Sequence, residues 1–227
     1  WNCKNSGDSS KVRAFADSLS ITSSRRIVEL KDKLIQCEIA SVYAVKEKSL
    51  LKARVYLNQP DTKHVHELEV FSIEHLPQKV SGNIQGLKEG EYQLVMELSN
   101  EGKVVASHKV AISLIQDKTQ LIASMGATEL KKDVPIWKAS KQNLVILLDE
   151  LLSGKRFEGD IPLSRLVESK GFLDKGLDAV DGKNGSEYLI AFPGRLAPLP
   201  ARIFIPSNAK ISKVPLVVAL HGAGATE

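Results

Sequence analysis

The chain has 227 residues, 43% hydrophobic, 26% charged and 5% aromatic. These proportions suit one large or two small folded domains, and they exclude collagen-like, low-complexity and wholly disordered classes. Lys plus Arg (31) exceeds Asp plus Glu (27) by a mild margin spread along the chain, which makes no case for a nucleic-acid partner.

No run of 18 apolar residues occurs, so no membrane span is expected. No signal peptide is visible, the first residue is Trp1 rather than Met, and the chain reads as a fragment cut at both ends. Cys3 and Cys37 form neither a disulfide framework nor a zinc pair; one disulfide between them and two unpaired thiols are equally open. Residues 1–25 are polar and Ser-rich and read as a lead-in or linker, with a short helix over Val12 to Leu19 at most.

Residues 26–116 read as β. Leu51, Ala53, Val55 and Leu57 alternate with Lys52 and Arg54, and a turn follows at Asn58-Gln59-Pro60-Asp61. Val65, Glu67, Glu69 and Phe71 oppose His66, Leu68 and Val70. A strand is expected from Val80 to Leu87, then one carrying Tyr92, Leu94, Met96 and Leu98, a hairpin turn at Ser99-Asn100-Glu101-Gly102, and a return over Val104 to Ile115. Short strands with regular turn signals predict a sandwich. The segment Leu87-Lys88-Glu89-Gly90-Glu91-Tyr92-Gln93-Leu94 resembles the Leu-x-x-Gly-x-Tyr-x-Leu signature of bacterial immunoglobulin-like or fibronectin-like modules, which speaks for the fold and not for a ligand.

Residues 117–185 read as helical. Leu121, Ile122, Met125 and Leu130 share a face that ends before Pro135, and Leu144, Leu147, Leu148 and Leu151 share another, with Gly154 as C-cap. Pro162 is expected near the first turn of a further helix, interrupted by Gly171 and Gly176.

Residues 186–227 return to β: Tyr188 to Phe192, Ala201 to Ile205, then the continuous apolar run Leu216-Val217-Val218-Ala219-Leu220, as for a strand buried on both faces. His221-Gly222-Ala223-Gly224 follow it directly. Bare amides in a small-residue turn suit either a phosphate or a developing oxyanion. The nucleotide pattern fails, because Glu227 takes the third glycine slot and opposes pyrophosphate. The run Leu220-His221-Gly222-Ala223-Gly224, with the preceding hairpin and Arg202-Ile203-Phe204-Ile205-Pro206, resembles the α/β-hydrolase superfamily. The similarity is to polyhydroxyalkanoate-depolymerase-like and feruloyl-esterase-like members and to prolyl-oligopeptidase-type relatives. It covers residues 186–227 only.

The resemblance implies a mixed fold: an N-terminal immunoglobulin-like sandwich, a helical middle region and the first strands of a truncated α/β-hydrolase. It implies amide donors at Ala223 and Gly224, a turn at Gly222 and an orienting His221. The partners would be an ester substrate and the remainder of the catalytic domain, the setting secreted or periplasmic. No cofactor and no metal are implied. No G-x-S-x-G occurs, so the nucleophile and triad would lie beyond Glu227 and the chain alone would be inactive. Two other functions are carried beside the esterase: a peptidase of the prolyl-oligopeptidase type, and a non-catalytic binding or adhesion module in which the sandwich carries the function.

Other constellations read as structural. His64 and His66, near Glu74 and His75, have zinc-ligand character but suit an exposed strand face better. His108 reads as structural or surface, Arg25-Arg26 as a surface pair, and Trp137 as a core or interdomain plug rather than a sugar-stacking partner for Trp1.

Overall fold

The computed structural model describes residues 9–41, 51–60, 62, 64–154, 161–179 and 185–207. Trp1, Cys3, the apolar run 216–220 and the loop His221-Gly222-Ala223-Gly224 lie outside the described residues. The chain divides into two compact units between Gln116 and Asp117. Most of the described secondary structure is β.

The first unit is a two-sheet β-sandwich. One sheet has the order β1-β3-β6 (Leu19–Ser23, Leu34–Ser41, Gln78–Asn83). The other has the order β2-β8-β7-β4-β5 (Ile27–Glu29, Lys103–Ile115, Gly90–Asn100, Lys52–Asn58, Val65–Ser72). All pairings are antiparallel except β2 with β8. After β1 the chain crosses to the other sheet, where Arg26 O accepts from Ser113 N at 2.8 Å and starts that parallel ladder. The alternation seen in the sequence sets the core: Leu51, Ala53, Val55 and Leu57 of β4 and Leu94, Met96 and Leu98 of β7 are fully buried, against Ile35, Cys37 and Ile39 of β3.

Helix α1 (Ser9–Asp17) and β1 place residues read as a lead-in inside this core: Phe15, Ala16, Leu19 and Ile21 are buried. The short alternation Leu19-x-Ile21 is too brief to stand out in a Ser-rich stretch. The His108 imidazole and the Ala16 carbonyl, 3.0 Å apart, tie α1 to β8. The resemblance around Tyr92 has a physical basis: its hydroxyl donates to the Lys88 carbonyl at 3.0 Å, the corner bond that fixes entry into such a strand.

Two expectations are corrected here. The strand expected from Val80 to Leu87 ends at Asn83, whose Oδ1 accepts from Gln85 N at 2.8 Å and turns the chain. The alternation expected along β5 breaks at a bulge: Val55 faces Glu69 while Tyr56 faces Glu67, so Glu67 and Glu69 point to opposite faces. The extra residue, Leu68, lies over Gly82 of the opposite sheet, where a Cβ would meet Leu68 Cβ at 2.7 Å. His66 Nε2 is 2.6 Å from Asn83 O, a second link between the sheets at that open side.

The second unit contains α2 (Lys118–Gly126), α3 (Pro135–Ser153), α4 (Leu163–Lys175) and the hairpin β9 (Ser186–Phe192) with β10 (Leu199–Ile205). Asp117 caps α2, accepting from Thr119 N at 2.7 Å and Gln120 N at 3.1 Å. Of the face expected on α2, Met125 is buried and Ile122 exposed. Pro135 opens α3 at its first turn, so Trp137 belongs to that helix, and Gly154 closes it at φ 70°. Gly171 does not interrupt α4. Leu144, Leu147, Leu148 and Leu151 are buried as the spacing requires. Phe172 stacks on Tyr188 at 4.4 Å and meets Trp137 at 5.5 Å, so Trp137 packs, half-buried, against the core of its unit.

Among the described residues, the hairpin's outer β9 edge is closed by side chains rather than by a strand. Ser169 Oγ accepts from Leu189 N at 2.8 Å and donates to Arg165 O at 2.7 Å. Ser140 Oγ accepts from Ala191 N at 2.8 Å and donates to Ile136 O at 2.7 Å. Arg165 Nη1 donates to Glu187 O at 2.7 Å. Ser169→Ala leaves the buried Leu189 N–H without its acceptor and is expected to cost about 1–3 kcal/mol. The exposed Ser153→Ala is expected to change stability by less than about 0.5 kcal/mol, with urea unfolding as the check.

Candidate functional site

The outer face of the five-stranded sheet carries the most organised group of exposed side chains among the described residues. With Ala53 and Val55 fixed in the core, pleating turns Lys52, Arg54 and Tyr56 outward. Register then places Glu97 of β7 and Val70 of β5 beside Arg54, and Glu67 beside Tyr56. The bulge is what brings Glu67 to this face.

Arg54 Nε bonds Glu67 Oε2 at 2.9 Å, and Arg54 Nη1 lies 3.8 Å from Glu97 Oε2. Tyr56 OH donates to Glu97 Oε1 at 2.8 Å, and the Arg54 guanidinium carbon sits 5.0 Å from the Tyr56 ring centroid. Partial burial raises the Tyr56 phenol above its ordinary range; the hydrogen bond to Glu97 and that carboxylate's charge act in the same direction, and Arg54 opposes them. The ion pairs are half-exposed and screened, so they add little stability. Their effect is orientation: a guanidinium and a phenol are linked through shared carboxylates on a face that also carries exposed Val70 and Val104. Tyr and Arg are the side chains that most often anchor interfaces. The sequence shows Lys52 and Arg54 as the polar half of an alternation, but Glu67 and Glu97 join them only through cross-strand register.

The remaining candidates are not brought together. His66 is engaged with Asn83 O; His64 N donates to Thr62 Oγ1 at 3.2 Å. Among the described residues no three of His, Cys, Asp and Glu are grouped to hold a metal ion. Arg25 pairs with Asp32 at 3.3 Å, and Arg26 Nη1 donates to Ala111 O at 3.4 Å. Cys37 is a free, buried thiol whose Sγ lies 3.8 Å from Val80 O. No described helix is long and apolar enough to cross a membrane.

No protein-family model matches the chain, and no curated protein matches it. Solved structures do match, at low similarity. One is the CARDB domain of a Pyrococcus furiosus protein, in complex with di-metal ions; it has 17% identity and a TM-score of 0.31, over 44% of this chain and 93% of that one. Another is the sensor domain of an anti-sigma factor from Pseudobacteroides cellulosolvens (15%, TM-score 0.29, 43% and 94%). A third is a superoxide reductase (neelaredoxin) from Ignicoccus hospitalis (12%, TM-score 0.31, 49% and 89%).

The hydrolase expectation is corrected. These matches are to CARDB, sensor and reductase chains, not to α/β-hydrolases or serine hydrolases. In the second unit the described strands make only a two-stranded antiparallel sheet.

Burial, and secondarily the charge of Glu69, push the Cys37 thiol from 9.0 to about 12. The folded state therefore favours the neutral thiol, which deprotonates more readily in the unfolded chain. That contribution to stability is complete below pH 9 and is lost as pH rises from 9 toward 12. Urea midpoints for wild type and Cys37→Ala are expected to converge over that window, and native Cys37 is expected to resist a thiol reagent at pH 8 until the chain unfolds.

Proposed function

We propose that the first unit is a non-catalytic binding module that engages a macromolecular surface through the outer face of its five-stranded sheet. The observation supporting this is the Arg54–Tyr56–Glu67–Glu97 network: oriented, accessible, and not needed to build the core. A sandwich whose inward rows already fill its interior leaves that face available for recognition. A rigid aromatic and a planar guanidinium lose little freedom on contact, which is what makes such pairs effective anchors. The secreted or periplasmic setting expected from the sequence goes with this reading.

The test immobilises the full chain and presents cell-envelope polysaccharides and secreted proteins. For a partner so retained, Tyr56→Ala and Arg54→Ala are each expected to weaken binding tenfold or more, roughly 1.4 kcal/mol, with circular dichroism unchanged. Affinity insensitive to both substitutions, or no ligand retained at all, contradicts the proposal.

A further inference from the structure

We propose that the turn of the β9–β10 hairpin inserts into lipid and seats the second unit on an anionic bilayer surface. It uses residues other than the sheet face above and is independent of that reading.

The turn carries apolar side chains that the fold leaves outside. Phe192 and Leu199 are cross-strand partners at the end of the ladder, 49% and 58% exposed. Leu196, in the turn between them, is 101% exposed, so no part of the fold rests on its side chain. The turn is closely built. A Cβ on Gly194 would collide with the Ala197 carbonyl oxygen, so the backbone closes tightly at a residue without a side chain. Pro193, Pro198 and Pro200 fix φ on either side, which limits the freedom lost when the turn is covered.

The chemistry of the turn favours lipid over a protein groove. From Phe192 to Pro200, Arg195 is the one polar side chain, and three of the nine residues are prolines without an N–H. A protein interface uses about one hydrogen bond per 100–200 Å², and this turn has few to offer. A bilayer's acyl boundary asks for none, and each missing donor is one fewer polar group to strip of water on insertion. Charge points the same way. From Tyr188 to Ser207 the chain carries no acidic residue. Glu187 stands at the other end of β9, 4.0 Å from Arg202. Arg195 therefore sets a positive charge beside the apolar side chains. That combination binds an anionic membrane interface: the apolar groups enter by about 5–10 Å while the guanidinium stays with the lipid phosphates.

The test is co-sedimentation of the full chain with vesicles of equal parts phosphatidylcholine and phosphatidylglycerol, and with phosphatidylcholine alone. Binding to the mixed vesicles is expected to be at least about tenfold tighter than to phosphatidylcholine, and to weaken as salt is raised. Leu196→Asp and Arg195→Glu are each expected to weaken it about tenfold or more, with circular dichroism unchanged. Lys88→Glu, an equal change of net charge at an exposed site in the first unit, is expected to leave it unaltered. Failure to bind the mixed vesicles overturns the proposal, even if Leu196 is later found to contact a protein. So does binding that survives Leu196→Asp, binding as tight to phosphatidylcholine alone, or a loss with Lys88→Glu equal to that with Arg195→Glu.

Discussion

A buried amide at the edge of a sheet must find an acceptor, and here two serine hydroxyls supply it. Ser169 and Ser140 each accept a hydrogen bond from a β9 amide and donate one to a carbonyl one helical turn back. The hydroxyl suits this position because it accepts and donates at once, leaving no group of its own unsatisfied. Among the described residues the edge is thereby closed without a neighbouring strand, and α3 and α4 are tied to β9, where Phe172 stacks on Tyr188.

The first unit meets the same requirement by other means. Its chain changes sheets after β1, so that β2 can pair with β8, while α1 tucks Phe15 and Ala16 into the core. The open side between β5 and β6 is drawn together by Leu68 over Gly82 and by His66 with Asn83. The bulge serves twice. It drives Leu68 inward against the other sheet, and it leaves Glu67 outward to hold Arg54. Packing of the core and organisation of the outer face thus depend on one register shift.

What the sequence made legible was the part governed by period. Leu51 to Leu57 and Tyr92 to Leu98 announced central strands because each is buried on one face for its full length, and Leu144 to Leu151 announced a helix for the same reason. The Tyr92 signature was readable because its hydrogen bond is local, four residues back. β1 was hidden because Leu19 and Ile21 are its only large apolar residues. The bulge was hidden because a single extra residue leaves composition unchanged. Ser140 and Ser169 read as ordinary helix polars; the amides they accept from lie 51 and 20 residues away, which no local pattern encodes. The hydrolase expectation arose from an apolar run followed by glycines in residues 216–224, and a short motif of that kind does not by itself specify the chemistry built around it.

The most direct test of edge closure by hydroxyls is native-state hydrogen exchange at the Leu189 and Ala191 amides of the wild-type chain. Both are expected to exchange only with the opening of the hairpin, as slowly as the Ile190 amide, which points toward β10. Exchange at Leu189 and Ala191 as fast as at an unpaired edge, with Ile190 still protected, would contradict it.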